Sequence, residues 1–83
     1  MILDELKGQP KVIGTKQVKK AITKGEAVSI FLANDAEPHI IEPIKELCRE
    51  HNINFAAVET MEQLGKACGI DVGAATVALV NFE

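Results

Sequence analysis

The chain has 83 residues, 47% of them apolar, with no Trp or Tyr and only Phe31, Phe55 and Phe82 as aromatics. That size predicts one domain over residues 1–83 with a modest core, and argues against disorder and against a sheet that stacks single-stranded bases on aromatic rings. The formal charge of −3 argues against a uniformly basic nucleic-acid binder, but the charge is unevenly spread. Up to residue 24 the chain carries Lys7, Lys11, Lys16, Lys19, Lys20 and Lys24 against only Asp4 and Glu5, and the other ten acids follow. Such a distribution fits a basic edge on an acidic body, which can meet one nucleic-acid feature locally. It equally fits an acidic domain with one unexceptional basic helix.

In chain order, Ile2, Leu3 and Leu6 predict a short helix over 2–7, ended by Gly8-Gln9-Pro10. Lys11–Ile13 reads as a very short strand. Gly14 then opens a helix from Thr15 to Lys24, with Val18, Ala21 and Ile22 inward and Gly25 as its stop. Lys16, Lys20 and Lys24 recur every fourth residue on the opposite side, with Lys19 beside them and no acid in the stretch. Like charges at that spacing cost a few tenths of a kcal/mol each, which a negatively charged partner offsets. The N–H groups freed at Gly14-Thr15 also favour anions. This face therefore reads as a contact for nucleic acid, RNA in particular; the bland alternative is a solvated lysine surface.

Ala27–Ala33 is apolar and rich in β-branched residues, and predicts a strand buried on both sides. Asn34–Pro38 is a turn at its C-terminal end, where ligands sit in open α/β sheets, or where Asp35 is simply a cap or turn residue. A helix follows with Ile40, Ile41, Ile44, Leu47, Cys48 and His51 on one side; Pro43 places its regular start near Ile40. Phe55–Val58 reads as a second buried strand. Thr60 and Gln63 fit a capping box for a helix carrying Met61, Leu64 and Cys68 inward, stopped by Gly69. In the loop Gly69–Gly73, Ile70 and Val72 flank Asp71, and are either exposed and in contact with a partner or turned inward. Val77–Val80 is the last strand. Alternating strands and helices predict an α/β/α sandwich around a mostly buried sheet.

The chemistry of an enzyme is not in evidence. The stretch Gly65-Lys66-Ala67 fails the phosphate-loop pattern, the acids are dispersed, and His39 and His51 lack metal-ligand spacing. Cys48 and Cys68, with nineteen residues between them, read as buried reduced thiols. The expected protein has no catalytic residue, metal or cofactor, no signal peptide and no membrane span, and is cytoplasmic.

Three stretches in this order resemble a known family: Gly14-Thr15-Lys16-Gln17-Val18-Lys19-Lys20-Ala21, then Leu32-Ala33-Asn34-Asp35 with Pro38 and Leu47-Cys48, then Leu64-Gly65-Lys66-Ala67-Cys68-Gly69-Ile70-Asp71-Val72-Gly73-Ala74-Ala75. It is the kink-turn RNA-binding ribosomal-protein family, typified by the archaeal large-subunit protein "L-seven-Ae" and its eukaryotic "thirty-e" relatives; the chain looks most like small bacterial members. The resemblance implies a three-layer α/β/α sandwich with a four-stranded mixed sheet. It implies a monomer that binds a kink-turn, an RNA helix bent at an internal loop flanked by sheared G·A pairs, in ribosomal or riboswitch-like RNA and not DNA. In that mode Lys16, Gln17 and Lys20 read guanine edges, and the backbone at Gly14 and Thr15 meets phosphates. Ile70, Asp71 and Val72 pack on extruded loop nucleotides, and Lys11, Lys19, Lys24 and Lys66 add phosphate contacts. Guanine O6 and N7 accept from a lysine, and only a distorted RNA helix opens its major groove to such readout. The chain departs from the archaeal pattern in having Lys16 for Asn and Gln17 for Glu, so the charge that strengthens a carboxylate–guanine bond is missing at Gln17. Two rivals remain: a structural ribosomal protein without autonomous kink-turn binding, and a protein or small-ligand adaptor using Asn34–Pro38 and the 69–73 loop.

Overall fold

Strand and helix alternate through the chain as β1 (Lys11–Ile13), α1 (Thr15–Thr23), β2 (Ala27–Ala33), α2 (Pro38–Glu50), β3 (Phe55–Val58), α3 (Met61–Ala67) and β4 (Thr76–Val80). The computed structural model describes residues 8–81; the helix expected over 2–7 lies outside them. The four strands form one mixed sheet in the order β1-β4-β2-β3, parallel between β2 and β3 and antiparallel elsewhere. A parallel pair needs a long crossover, and α2 supplies it. Register sets the layers. Ile30 and Leu32 share one face with Phe55, Ala57, Thr76 and Ala78, under α1 and α2; Phe31 and Ala33 share the other with Ala56, Val58 and Val77, under α3. The expected α/β/α sandwich is therefore present, with Val18, Ile22, Ile30, Ile44, Leu64 and Val77 fully buried between its layers.

The three helices among the described residues end alike. At α1, Gly25 N–H donates to Ile22 O and Glu26 N–H to Ala21 O; at α2, Asn52 N–H donates to Arg49 O and Ile53 N–H to Cys48 O; at α3, Gly69 N–H donates to Lys66 O and Ile70 N–H to Gly65 O. Each is the paired bond set of a Schellman turn, with Gly25, Asn52 or Gly69 in the left-handed conformation it requires. The starts differ. The Thr60 hydroxyl accepts from Gln63 N–H at 3.1 Å, the first half of the expected capping box; among the described residues Gln63 makes no reciprocal bond. Thr60→Ala is expected to cost about 1 kcal/mol, read as a lower urea midpoint at constant slope; an unchanged midpoint would mean that α3 does not depend on this cap.

Four expectations need correction. β2 is buried on both faces only from Ile30 onward: a register shift beside Val28 leaves that side chain 57% exposed. β3 is not a buried strand but the sheet's edge, with Phe55 and Ala57 exposed and Val58 alone buried. α2 begins at Pro38, two residues earlier than expected, with Pro43 inside it. Pro38 occupies the first turn, where its missing N–H costs nothing. Pro43 deprives the His39 carbonyl of its helical donor, and His39 is exposed, so water reaches that group. His51, which its spacing grouped with the apolar side of this helix, is instead the exposed C-cap of α2. No helix among the described residues is long and apolar enough to cross a membrane.

Candidate functional site

The α1 helix turns Val18, Ala21 and Ile22 into the core and leaves Lys16, Gln17, Lys19, Lys20 and Lys24 exposed. Lys16, Lys19, Lys20, Thr23 and Lys24 line one shallow hollow, and none of these lysines has a carboxylate partner among the described residues. The start of the helix is equally uncompensated. Gly14 precedes it at φ +104° with no side-chain cap and no acid in the first turn. A Cβ at Gly14 would meet nothing within 4 Å, so glycine is required there for its backbone angle and not for room. Val18 N–H donates to Gly14 O at 2.9 Å, while the N–H groups of Thr15, Lys16 and Gln17 point out of the helix end unpaired by the described protein.

The 69–73 loop is held against α3 at close range. A Cβ on Gly65 would stand 2.1 Å from Val72 O, and one on Gly73 would stand 3.0 Å from Met61 Cβ. Ala74 N–H donates to Met61 O at 3.0 Å. The Schellman turn draws Ile70 back toward the core, half-buried, whereas Asp71 and Val72 project, Val72 being 70% exposed. The two apolar residues that look equivalent in sequence thus part ways.

These two features meet. Gly14 N–H donates to Thr76 O at 3.1 Å, and Ala33 N–H donates to Ala75 O at 3.0 Å. The stem of the glycine loop is therefore bonded to the residue that opens α1 and to the end of β2, so Gly14–Lys20 and Ile70–Val72 stand at one end of the sheet. Other expected contacts are not gathered there. Lys24 is eight residues beyond Lys16, about 12 Å along the axis. Lys11 is half-buried, lies on the face of the sheet opposite α1, and donates to Gln9 O at 3.1 Å. Lys66 pairs with Glu62 at 3.2 Å on the exposed side of α3.

Asp35 has a role that sequence reading missed: its Oδ1 accepts from Met61 N–H at 2.8 Å, capping a helix 26 residues away. No local pattern signals a partner at that separation. The Thr76 hydroxyl is fully buried and has no hydrogen-bond partner in the described protein. Both cysteines are free; Cys48 is buried, but Cys68, expected to be, is only half-buried. Burial pushes both thiols up, with the Lys11 charge partly opposing this at Cys68. Among the described residues no group of His, Cys, Asp and Glu could hold a metal ion.

The chain is 46% identical over 73 residues to an RNA-binding protein of Caldanaerobacter subterraneus, covering 88% of this chain and 89% of that one. It is 41% identical over 68 residues to the large ribosomal subunit protein eL8 of Halobacterium salinarum, covering 81% and 57% respectively. Its fold superposes on the Giardia lamblia 15.5kD RNA binding protein with a TM-score of 0.90 at 21% identity, over 99% of this chain and 72% of that one. These relatives are named as RNA-binding or ribosomal proteins. A family model matches residues 4–83, and the chain belongs to the ribosomal protein L7Ae/L30e/S12e/Gadd45 family.

Proposed function

We propose that this chain, acting as a single monomeric domain over residues 1–83 in the cytoplasm, binds structured RNA containing a kink-turn and stabilises its bent form in association with the ribosome. The observation that carries the reading is the Gly14–Thr76 hydrogen bond. It ties an uncompensated basic helix start to the first residue of β4, four residues after exposed Val72, so one end of the sheet offers both phosphate attraction and a dry contact for an unstacked base. Membership of a family that includes ribosomal proteins, and relatives named as RNA-binding, support it.

Each side chain then has a role suited to its chemistry. Lys16 and Lys20 donate to guanine O6 and N7, and Gln17 offers both a donor and an acceptor to a base edge. The free N–H groups following Gly14 and Thr15 receive a phosphate, and Lys19 and Lys24 add charge that positions the RNA without reading it. Lys11 and Lys66, turned away from this surface, contribute least. Val72 covers the extruded nucleotide, Asp71 accepts from its base or ribose, and Ile70 supports the turn from beneath. Binding favours the bent RNA by the difference in affinity for the two shapes.

The adaptor reading is weaker. The groove by Asn34 and Pro38 holds about 180 Å³, below the roughly 300–1,000 Å³ of typical small-molecule sites.

Titration of the protein into a kink-turn RNA, and into a control whose sheared G·A pairs are replaced by Watson–Crick pairs, tests the proposal at two salt concentrations. Tight binding to the first alone is expected, weakened about ten- to a hundredfold between 50 and 200 mM salt for three or four phosphate contacts. Lys20→Ala is expected to cost about 1–3 kcal/mol on the kinked RNA and far less on the control. Equal affinity for both RNAs, or none for either, would refute kink-turn recognition and leave the structural ribosomal role.

A further inference from the structure

Asp35 stands outside the basic helix and outside the 69–73 loop, yet the hydrogen bonds lead from it to that loop. Its Oδ1 accepts from Met61 N–H at 2.8 Å. The carbonyl of Met61 accepts from Ala74 N–H at 3.0 Å, and the Cβ of Met61 lies where a side chain on Gly73 would have to go. Met61 is thus pinned at its N–H by the turn that follows β2 and in turn pins the far end of the loop at its carbonyl. Thr60 caps the helix at a different amide, that of Gln63, so it does not duplicate the Asp35 bond. Ala33, two residues before Asp35, also donates to Ala75 O, one residue after Ala74, so the end of β2 grips the loop stem directly and through α3.

From this chain of contacts we infer that Asp35 is a positioning residue for RNA recognition: through Met61 it sets the height at which Val72 is presented beside the start of α1. The inference rests on the RNA-binding function proposed above and adds a residue that does not itself touch the RNA. A carboxylate at a helix N-terminus is favourably placed for such a task, because it accepts from a free helix N–H and meets the positive end of the helix dipole. Asparagine keeps an acceptor oxygen at the same reach; alanine does not.

Asp35→Ala and Asp35→Asn, each made in the wild type and in Val72→Ala, provide the test. The readouts are amide hydrogen exchange at Met61 and Ala74, and affinity for kink-turn RNA with an intact or an abasic extruded nucleotide. Asp35→Ala is expected to speed exchange at both amides and to weaken binding to the intact RNA by about threefold to tenfold. It is expected to cost little further affinity in the Val72→Ala background or on the abasic RNA, and Asp35→Asn is expected to recover most of the loss. Equal weakening on intact and abasic RNA would reduce Asp35 to general stability and overturn the inference. A wild-type protein that ignores kinked RNA would defeat the proposed function. The linkage from Asp35 to the loop would then be decided by exchange alone, and unchanged protection at Ala74 in Asp35→Ala would overturn it.

Discussion

Gly65→Ala is expected to lower stability by about 1–3 kcal/mol and to weaken binding to kinked RNA well beyond what that loss explains. The added methyl would stand 2.1 Å from Val72 O and 3.1 Å from Val72 C. Both are backbone atoms, so no side-chain rotation relieves the overlap. The loop must rise by more than about 1 Å to reach ordinary contact distance, against the Ile70–Gly65 and Ala74–Met61 hydrogen bonds. Overpacking of this kind costs about 1–3 kcal/mol, and a strained or lost hydrogen bond about 1 kcal/mol more. Alanine's better helix propensity returns roughly 1 kcal/mol, so the penalty prevails. The displaced group is Val72, the exposed tip itself, which is why affinity suffers at protein concentrations and temperatures where the variant is still folded. Urea unfolding and RNA titration of the same preparation check this. An unchanged midpoint would mean that the loop yields freely, and a changed midpoint with unchanged affinity would mean that the height of Val72 is irrelevant to binding.

Phe31→Ala is expected to cost about 3–5 kcal/mol, Phe31 being the largest fully buried side chain among the described residues. Phe31 is 1% exposed and lies on β2, between Val77 of β4 and Ala56 of β3. The small neighbours on that face leave it as the main filler between the sheet and α3, so its removal opens a cavity that surrounding alanines cannot close. A domain of this size holds only about 5–15 kcal/mol in total, so the variant retains a fraction of that or unfolds outright. Phe55→Ala is the control. Phe55 is 39% exposed on the edge strand, and its loss is expected to be below about 1.5 kcal/mol on the scale of partial apolar burial. Comparable losses at the two positions would contradict the assignment of β2 as the centre of the sheet and β3 as its edge.

The contrast between the two phenylalanines also marks where sequence reading stops. Phe31 and Phe55 both sit in short apolar runs, and both runs read as buried strands. Position within the sheet separates them, and position depends on which strands pair, a matter of contacts between residues far apart in the chain. The same holds for Ile70 and Val72, which share a five-residue loop and differ because the end of α3 pulls one of them in. Pro43 illustrates a different failure. The rule against proline inside a helix assumes that the orphaned carbonyl is costly, and at exposed His39 water removes that cost.

What the sequence determined by itself is what local physics controls. The apolar period over 15–24 specified the helix and which side it buries, because side chains three and four apart share a helix face. Gly25 and Gly69 marked two helix ends, because only residues tolerant of positive φ close such a turn. The lysine spacing put the cations on the outer side of α1 before any fold was known. The tertiary structure alone decided that the start of α1 and the 69–73 loop share one end of the sheet, because Gly14 and Thr76 meet only when β1 and β4 pair antiparallel. It alone made Asp35 a cap for Met61, across 26 residues. Hydrogen bonds between distant segments leave no period or spacing in the chain, so they become legible only once the sheet has brought their partners together.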